Sequence, residues 1–270
     1  MRRRLILVGF LLTLAFVALY GFGAYFSFRS WDAGDFGAPA NAELIRALGA
    51  FQMLSFGLFI SSFLSATLVV FLAAGMISGD AENGTLQTVV TRPIARAHIL
   101  LGRFLGYATV FLVYLVVTAG SLVALTWALA GYAPPSPVRA LVILAGEGLI
   151  VLAFVSLGSA VLPPVATGTL ALMAYGLAFI GGVVKQIGLF LQNHTAQTIG
   201  DAVHFILPTD AFFRMALDAL APRSLGLFGN LGLGPFGAGS PLRLSTLAYG
   251  LAYLLACFAA SAFFFARKDL

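Results

Sequence analysis

Ser78-Gly79-Asp80-Ala81-Glu82-Asn83-Gly84-Thr85-Leu86-Gln87-Thr88-Val89-Val90-Thr91-Arg92-Pro93-Ile94-Ala95-Arg96 is a polar run held between two long apolar ones. Residues 51–77 before it and 104–130 after it contain no Asp, Glu, Lys or Arg, and each exceeds the roughly 20 residues that cross a bilayer as a helix. The flanks dissolve in lipid and the run does not, so it is expected to be a loop at a membrane surface. Gly79 and Gly84 permit tight turns, and Asp80 or Asn83 can cap a short helix over residues 85–90. Arg92-Pro93 then ends it, because the residue before proline is driven out of the helical region.

Composition extends this reading to the whole chain. Of 270 residues, 60% are hydrophobic and 9% charged, with a mean hydropathy of +1.00; that is a polytopic membrane protein. The net charge of +5 comes from 15 basic residues scattered along the chain, which fits flanks of membrane spans and not a nucleic-acid patch. The single cysteine, Cys257, sits in an apolar run. It excludes an intrachain disulfide and a multi-cysteine metal site, and reads as a small core hydrophobe.

Taken in order, the chain is expected to form one all-α transmembrane domain over residues 1–270, with six spans at about 5–28, 51–77, 99–131, 139–162, 165–184 and 244–266. Arg2, Arg3 and Arg4 hold the N-terminus in the cytoplasm, and the second span then delivers the polar run there with Arg92, Arg96 and Arg103. Tyr132-Ala133-Pro134-Pro135-Ser136-Pro137 is an external turn stiffened by proline, and Pro163-Pro164 makes a very short inner connection. Lys185 opens the longest connection, residues 185–243. Within it, Phe213, Leu217 and Leu220 share one helical face and Arg214 and Asp218 another, which predicts an amphipathic helix at the outer interface, capped by Thr209 or Asp210. Eight of the 15 basic residues fall inside in this topology, and four of the other seven lie in the long connection, where the positive-inside rule loses force.

Few residues offer chemistry. No lysine follows a glycine as the phosphate-binding loop requires, so any ATP hydrolysis is expected from another polypeptide. Glu147, between Gly146 and Gly148, is the one acidic residue of the fourth span. Two readings stay open for it. A carboxylate in the membrane is a candidate for a transport pathway or an interface; alternatively it sits shallow, about 12 Å of helix from Arg139. His98, His194 and His204 lack a metal-binding spacing, and no metal is expected. Gly102 and Gly106 form a G-x-x-x-G that suits close helix packing. Asn193-His194-Thr195 matches the short glycosylation pattern.

Residues 77–86, then Thr91-Arg92-Pro93-Ile94-Ala95-Arg96, then Gly102-Arg103-Phe104-Leu105-Gly106, resemble a signature run of ABC-2 type permeases, nearest to the NosY-like subgroup. Pro208-Thr209-Asp210-Ala211 and the terminal Arg267-Lys268-Asp269-Leu270 extend the resemblance over most of the chain. It implies the membrane permease of an ATP-binding cassette transporter: a six-helix half that pairs with a second copy or a paralogue and docks on two copies of a separate ATPase subunit. ATP and Mg would be bound by that subunit and no cofactor by this chain, which would not itself be an enzyme. The polar run would be the coupling helix between the second and third spans, with Asp80, Glu82, Gly84, Thr85, Arg92, Pro93 and Arg96 as its contacts. The implied setting is a bacterial inner membrane rich in contacting lipid, with both termini cytoplasmic, no nucleic acid as partner and export as the expected direction. One departure is that many members begin with an amphipathic cytoplasmic helix, whereas here Leu5 follows the arginines directly. A secondary transporter or channel, or a membrane-embedded enzyme, remains the alternative. The substrate is not legible.

Overall fold

The computed structural model describes residues 2–32, 39–79, 96–222 and 242–267. Eight helices run through them: α1 (Arg2–Asp32), α2 (Pro39–Ala73), α3 (Arg96–Ala130), α4 (Pro137–Val161), α5 (Pro164–Phe190), α6 (His194–Ile206), α7 (Thr209–Leu220) and α8 (Leu244–Arg267). Six of these, α1 to α5 and α8, are long and apolar enough to cross a membrane, with mean hydropathies from 1.7 to 2.4. The chain is therefore an integral membrane protein of all-α class. Helices dominate because a lipid-embedded backbone must satisfy its own N–H and C=O groups within each segment.

The helices divide into two compact units, and α2, α3, α4 and α7 each contribute residues to both. The first contains residues 1–64, 114–144 and 213–242. Here Tyr20 of α1 lies over Gly57 of α2, where a Cβ would come within 2.6 Å of the ring, and its hydroxyl meets Thr126 Oγ1 of α3 at 2.6 Å. Glycine is needed at this one crossing so that a tyrosine can reach past α2 to a partner for its polar end. Thr13 and Tyr114 make a second hydroxyl contact between α1 and α3, also at 2.6 Å. Gly131 ends α3 at φ +67, donating its N–H to Trp127 O at 3.0 Å, the left-handed helix end that glycine favours. In the turn that follows, Tyr132 donates to Leu220 O at 2.5 Å. Burial pushes the Tyr132 phenol well above its ordinary pKa.

The second unit contains residues 65–113, 145–212 and 243–270. Pro164 stands at the first position of α5 behind the extended Pro163, where its missing N–H removes no helical bond. The α5 helix runs on past Lys185 to Phe190 and turns back through Gln192, held at φ 53. Asn193 then caps α6, accepting from Thr195 N at 3.0 Å and Ala196 N at 3.2 Å. In the structure, the asparagine of the glycosylation-like triplet thus has a local job. Lys185 pairs with Asp201 of α6 at 2.7 Å. Tyr249 and Tyr253 of α8 donate to Phe205 O and Ile206 O, the terminal carbonyls of α6 that have no helical donor.

One sequence expectation is corrected. The α7 helix is not laid open on an interface: Phe213, Leu217 and Leu220 are buried, and of the expected polar face Arg214 is buried at 7% exposure while Asp218 is half-buried; Asp210, one turn before Arg214, is buried at 4%. The amphipathic spacing is real, but packing against other helices covers polar positions as well as apolar ones. Room for Asp210 comes from α5, where a Cβ at Gly182 would fall 2.0 Å from the carboxyl group. Asp218 lies near Arg139 of α4; burial raises its carboxyl pKa above the ordinary value, and Arg139 offsets part of that rise.

Candidate functional site

The α2 helix does not continue unbroken to the polar run. It ends at Ala73, and residues 74–77 form a turn in which Met76 N donates to Ala73 O at 2.9 Å. Met76, Ile77 and Ser78 are buried, at 0%, 1% and 4% exposure. Buried amides released by the end of a helix require acceptors. Ser159 of α4 supplies one: its Oγ lies 2.8 Å from Ile77 N and 3.3 Å from Ser78 N, with Ser78 Oγ at 3.5 Å. A hydroxyl oxygen has two lone pairs and can take both amides. The carbonyl of Met76 accepts from Arg103 of α3. The exit of α2 is therefore held to α3 by a guanidinium and to α4 by a serine.

The second short connection comes to the same place. Pro164, first residue of α5, lies 3.8 Å from the position of a Cβ on either Gly75 or Gly79. Met76, Ile77, Leu100, Ala160 and Phe265 form an apolar cluster, with Phe258 and Ala262 of α8 packed alongside. Further along α8, Ser261 donates to Ser156 O of α4 at 3.0 Å. The exit of α2 and helices α3, α4 and α8 thus send residues to one cluster, with the start of α5 near the same exit.

A second polar site lies along α4 and α5. Glu147 is 3% exposed and accepts a hydrogen bond from Tyr175 Oη at 2.9 Å. The glycines on either side admit aromatic rings. A Cβ at Gly148 would lie 1.9 Å from Phe111, and one at Gly146 would lie 2.9 Å from Phe212. The carboxylate is enclosed by this chain's own helices, with a phenol as donor. That arrangement satisfies a charge or a proton far from water.

Of the residues singled out from the sequence, Asp80, Glu82, Gly84, Thr85, Arg92 and Pro93 lie outside the described residues, and Arg96 begins α3. Gly102 and Gly106 have nothing within 4 Å of where a Cβ would stand, so no described residue packs on that face of α3. Among the described residues no group of three or more His, Cys, Asp and Glu is arranged to hold a metal. Ser159, Tyr175 and the buried charges of α7 escaped the sequence reading. A serine or tyrosine in a span has no local signature; Gly181 and Gly182 do suit close helix contacts on α5, but nothing local says that α7 is what packs there.

Comparison with known proteins carries the assignment further. Residues 64–270 match the model of the ABC-2 family transporter protein. The chain is 28% identical over 119 residues to the probable ABC transporter permease protein NosY of Pseudomonas aeruginosa, a stretch covering 44% of this chain and 38% of that protein. The match to NosY thus spans well under half of that relative's length. The family match takes in the α2 exit, the polar loop, the Glu147–Tyr175 pair and α5 to α8, and by it this chain belongs to the ABC-2 family of transporters.

Proposed function

We propose that this chain is the permease half of an ATP-driven transporter and that residues 80–96 are its coupling element. The observation that carries the reading is the construction at the mouth of that loop. The α2 exit is buried and held to α3 and α4, with the start of α5 beside it. A push on a loop so fixed moves helices; slack does not absorb it. In this reading two copies of an ATPase subunit bind ATP and Mg, and a second permease half, identical or paralogous, completes the membrane domain. Residues 1–270 act as a single membrane domain in a bacterial inner membrane, with both termini and the loop in the cytoplasm, and the direction is export. The chain itself performs no hydrolysis. Glu147 serves the pathway or the movement of α4 against α5, inside the protomer.

The test has two arms. Single cysteines at Ser30, Gly84 and Gly229 in a Cys257→Ala background are to react with an impermeant reagent from outside at Ser30 and Gly229 only; external reaction at Gly84 overturns the orientation. Glu82→Ala and Gly84→Val are to insert normally yet lose co-purification with the ATPase or uncouple its hydrolysis, since Glu82 can accept charged hydrogen bonds and a branched residue blocks a glycine turn. Normal binding and transport by both variants refutes the coupling assignment.

A further inference from the structure

We propose that Ser159 is the positioning residue that fastens the loop to α4, so that movement of the loop is delivered to α4 through one hydroxyl. The inference rests on the coupling reading above and names the link within it. Three observations carry it. Ser159 has no exposure, so its oxygen has no water to bond. It faces two consecutive main-chain amides, Ile77 N at 2.8 Å and Ser78 N at 3.3 Å, just past the end of α2 and ahead of the polar run. These contacts tie segments 82 and 81 residues apart in sequence, so they couple two elements and add nothing to either helix alone.

The other contacts in the same cluster are less direct links to a helix backbone. Arg103 reaches Met76 O through a side chain with several rotatable bonds, so the path from that carbonyl to the α3 backbone is longer than the path through a serine. Pro164 has no N–H to donate, and its ring lies 3.8 Å from where a Cβ on Gly75 or Gly79 would stand. Van der Waals contact resists compression but not separation, whereas a paired hydrogen bond to buried amides resists both, because parting leaves donors unsatisfied. The serine is also short: one rotatable bond separates its oxygen from the α4 backbone, so little motion is lost.

Ser156 provides an internal control. It too is a fully buried serine of α4, but its hydroxyl bonds Ala153 O within its own helix at 2.8 Å. Ser156→Ala removes a buried hydroxyl of the same helix without touching the loop. Ser159→Ala and Ser159→Cys each remove the strong acceptor at nearly constant volume, and Ser159→Thr keeps it.

Two measurements decide the matter. In the purified chain in lipid discs, amide hydrogen exchange at Ile77 and Ser78 is to rise about tenfold in Ser159→Ala and Ser159→Cys, and not in Ser156→Ala or Ser159→Thr. Unchanged exchange in the first two overturns the fastening. In the complex with the co-purifying ATPase, a reporter cysteine replaces Val161, the exposed last residue of α4, in a Cys257→Ala background. Trapping the ATPase with ATP and vanadate is to change the labelling rate of this cysteine in the parent and in Ser156→Ala. In Ser159→Ala that change is to vanish although the ATPase stays bound and hydrolyses ATP, and Ser159→Thr is to restore it. A parental response in Ser159→Ala overturns the relay. If the ATPase binds the parent and trapping leaves Val161→Cys unaltered, the coupling reading itself fails and the relay with it, while the exchange result stands.

Discussion

Gly148→Ala adds one methyl group to α4, and two opposing effects can be weighed. A helical Gly→Ala change gains about 1 kcal/mol from backbone entropy. Against this, the new Cβ would lie 1.9, 2.4 and 2.6 Å from three carbons of the Phe111 ring. Phe111 is itself only 1% exposed, so the ring has no free space to enter and must withdraw by about 1.5 Å to reach ordinary contact. Overpacking of a close-packed site costs about 1–3 kcal/mol, and a gap this short belongs at the upper end. The net expectation is a loss of about 1–2 kcal/mol, or a drop of about 2–8 °C in unfolding midpoint for a chain of this size. Cys257, the single cysteine and 8% exposed, serves as the reporter: a thiol-reactive dye signals unfolding when it becomes accessible. Gly106→Ala is the counterpart. Nothing lies within 4 Å of its Cβ position, so the helix term acts alone and the midpoint of the isolated chain is to rise. Phe111→Leu in the Gly148→Ala background is to recover part of the loss, which identifies the ring as its source. A midpoint that rises in Gly148→Ala as it does in Gly106→Ala refutes the reasoning. Should a second permease half pack on the Gly102–Gly106 stretch, Gly106→Ala is to stabilise the isolated chain and weaken the assembly, a split visible by comparing melting with size-exclusion behaviour.

Three further outcomes follow from the same contacts. Tyr175→Phe removes the 2.9 Å donor to buried Glu147 and is to destabilise the chain by about 1–3 kcal/mol; Glu147→Gln in that background is to restore most of it, measured as a coupling energy by dye-based melting, and Glu147→Gln alone is to lower transport with ATPase binding intact. Asn193→Ala deletes both cap contacts of α6 and is to cost about 1 kcal/mol, read as faster amide exchange at Thr195 and Ala196. The folded-state pKa of Asp218 lies above its ordinary value, so the native chain binds this proton more tightly than the unfolded chain. Stability is therefore highest below the ordinary carboxylate range and falls as pH rises through the raised value. Asp218→Asn is to flatten that part of the midpoint-against-pH curve, and Arg139→Gln, which removes the attraction that lowers the pKa, is to shift the loss to higher pH.

What was legible in the sequence is what transfer from water to lipid decides residue by residue. Charge-free runs such as 104–130 specify membrane helices because each side chain carries its own partition preference, summed along about 20 positions. The loop stood out for the converse reason: Asp80, Glu82, Arg92 and Arg96 cannot remain in hydrocarbon. Pro163-Pro164 marked the short connection before α5 by its own covalent geometry, whereas Pro137, read as part of a turn, is the first residue of α4.

The tertiary structure alone decided the rest. Residues 209–220 illustrate this most plainly, since Arg214 and Asp210 at four-residue spacing carry the pattern of a wet helical face, and the vacant side of Gly182 on another helix turns that face inward. Glu147 likewise looked the same whether shallow or enclosed until Tyr175, 28 residues away, was brought to its oxygen. Ser159 is one small polar residue in an apolar span, unremarkable until α2 stops beside it and turns two amides toward it. Partition between water and lipid is a property of each residue and adds along the chain. A hydrogen bond is a property of two atoms within about 3 Å, and only the packing of helices far apart in sequence sets that distance.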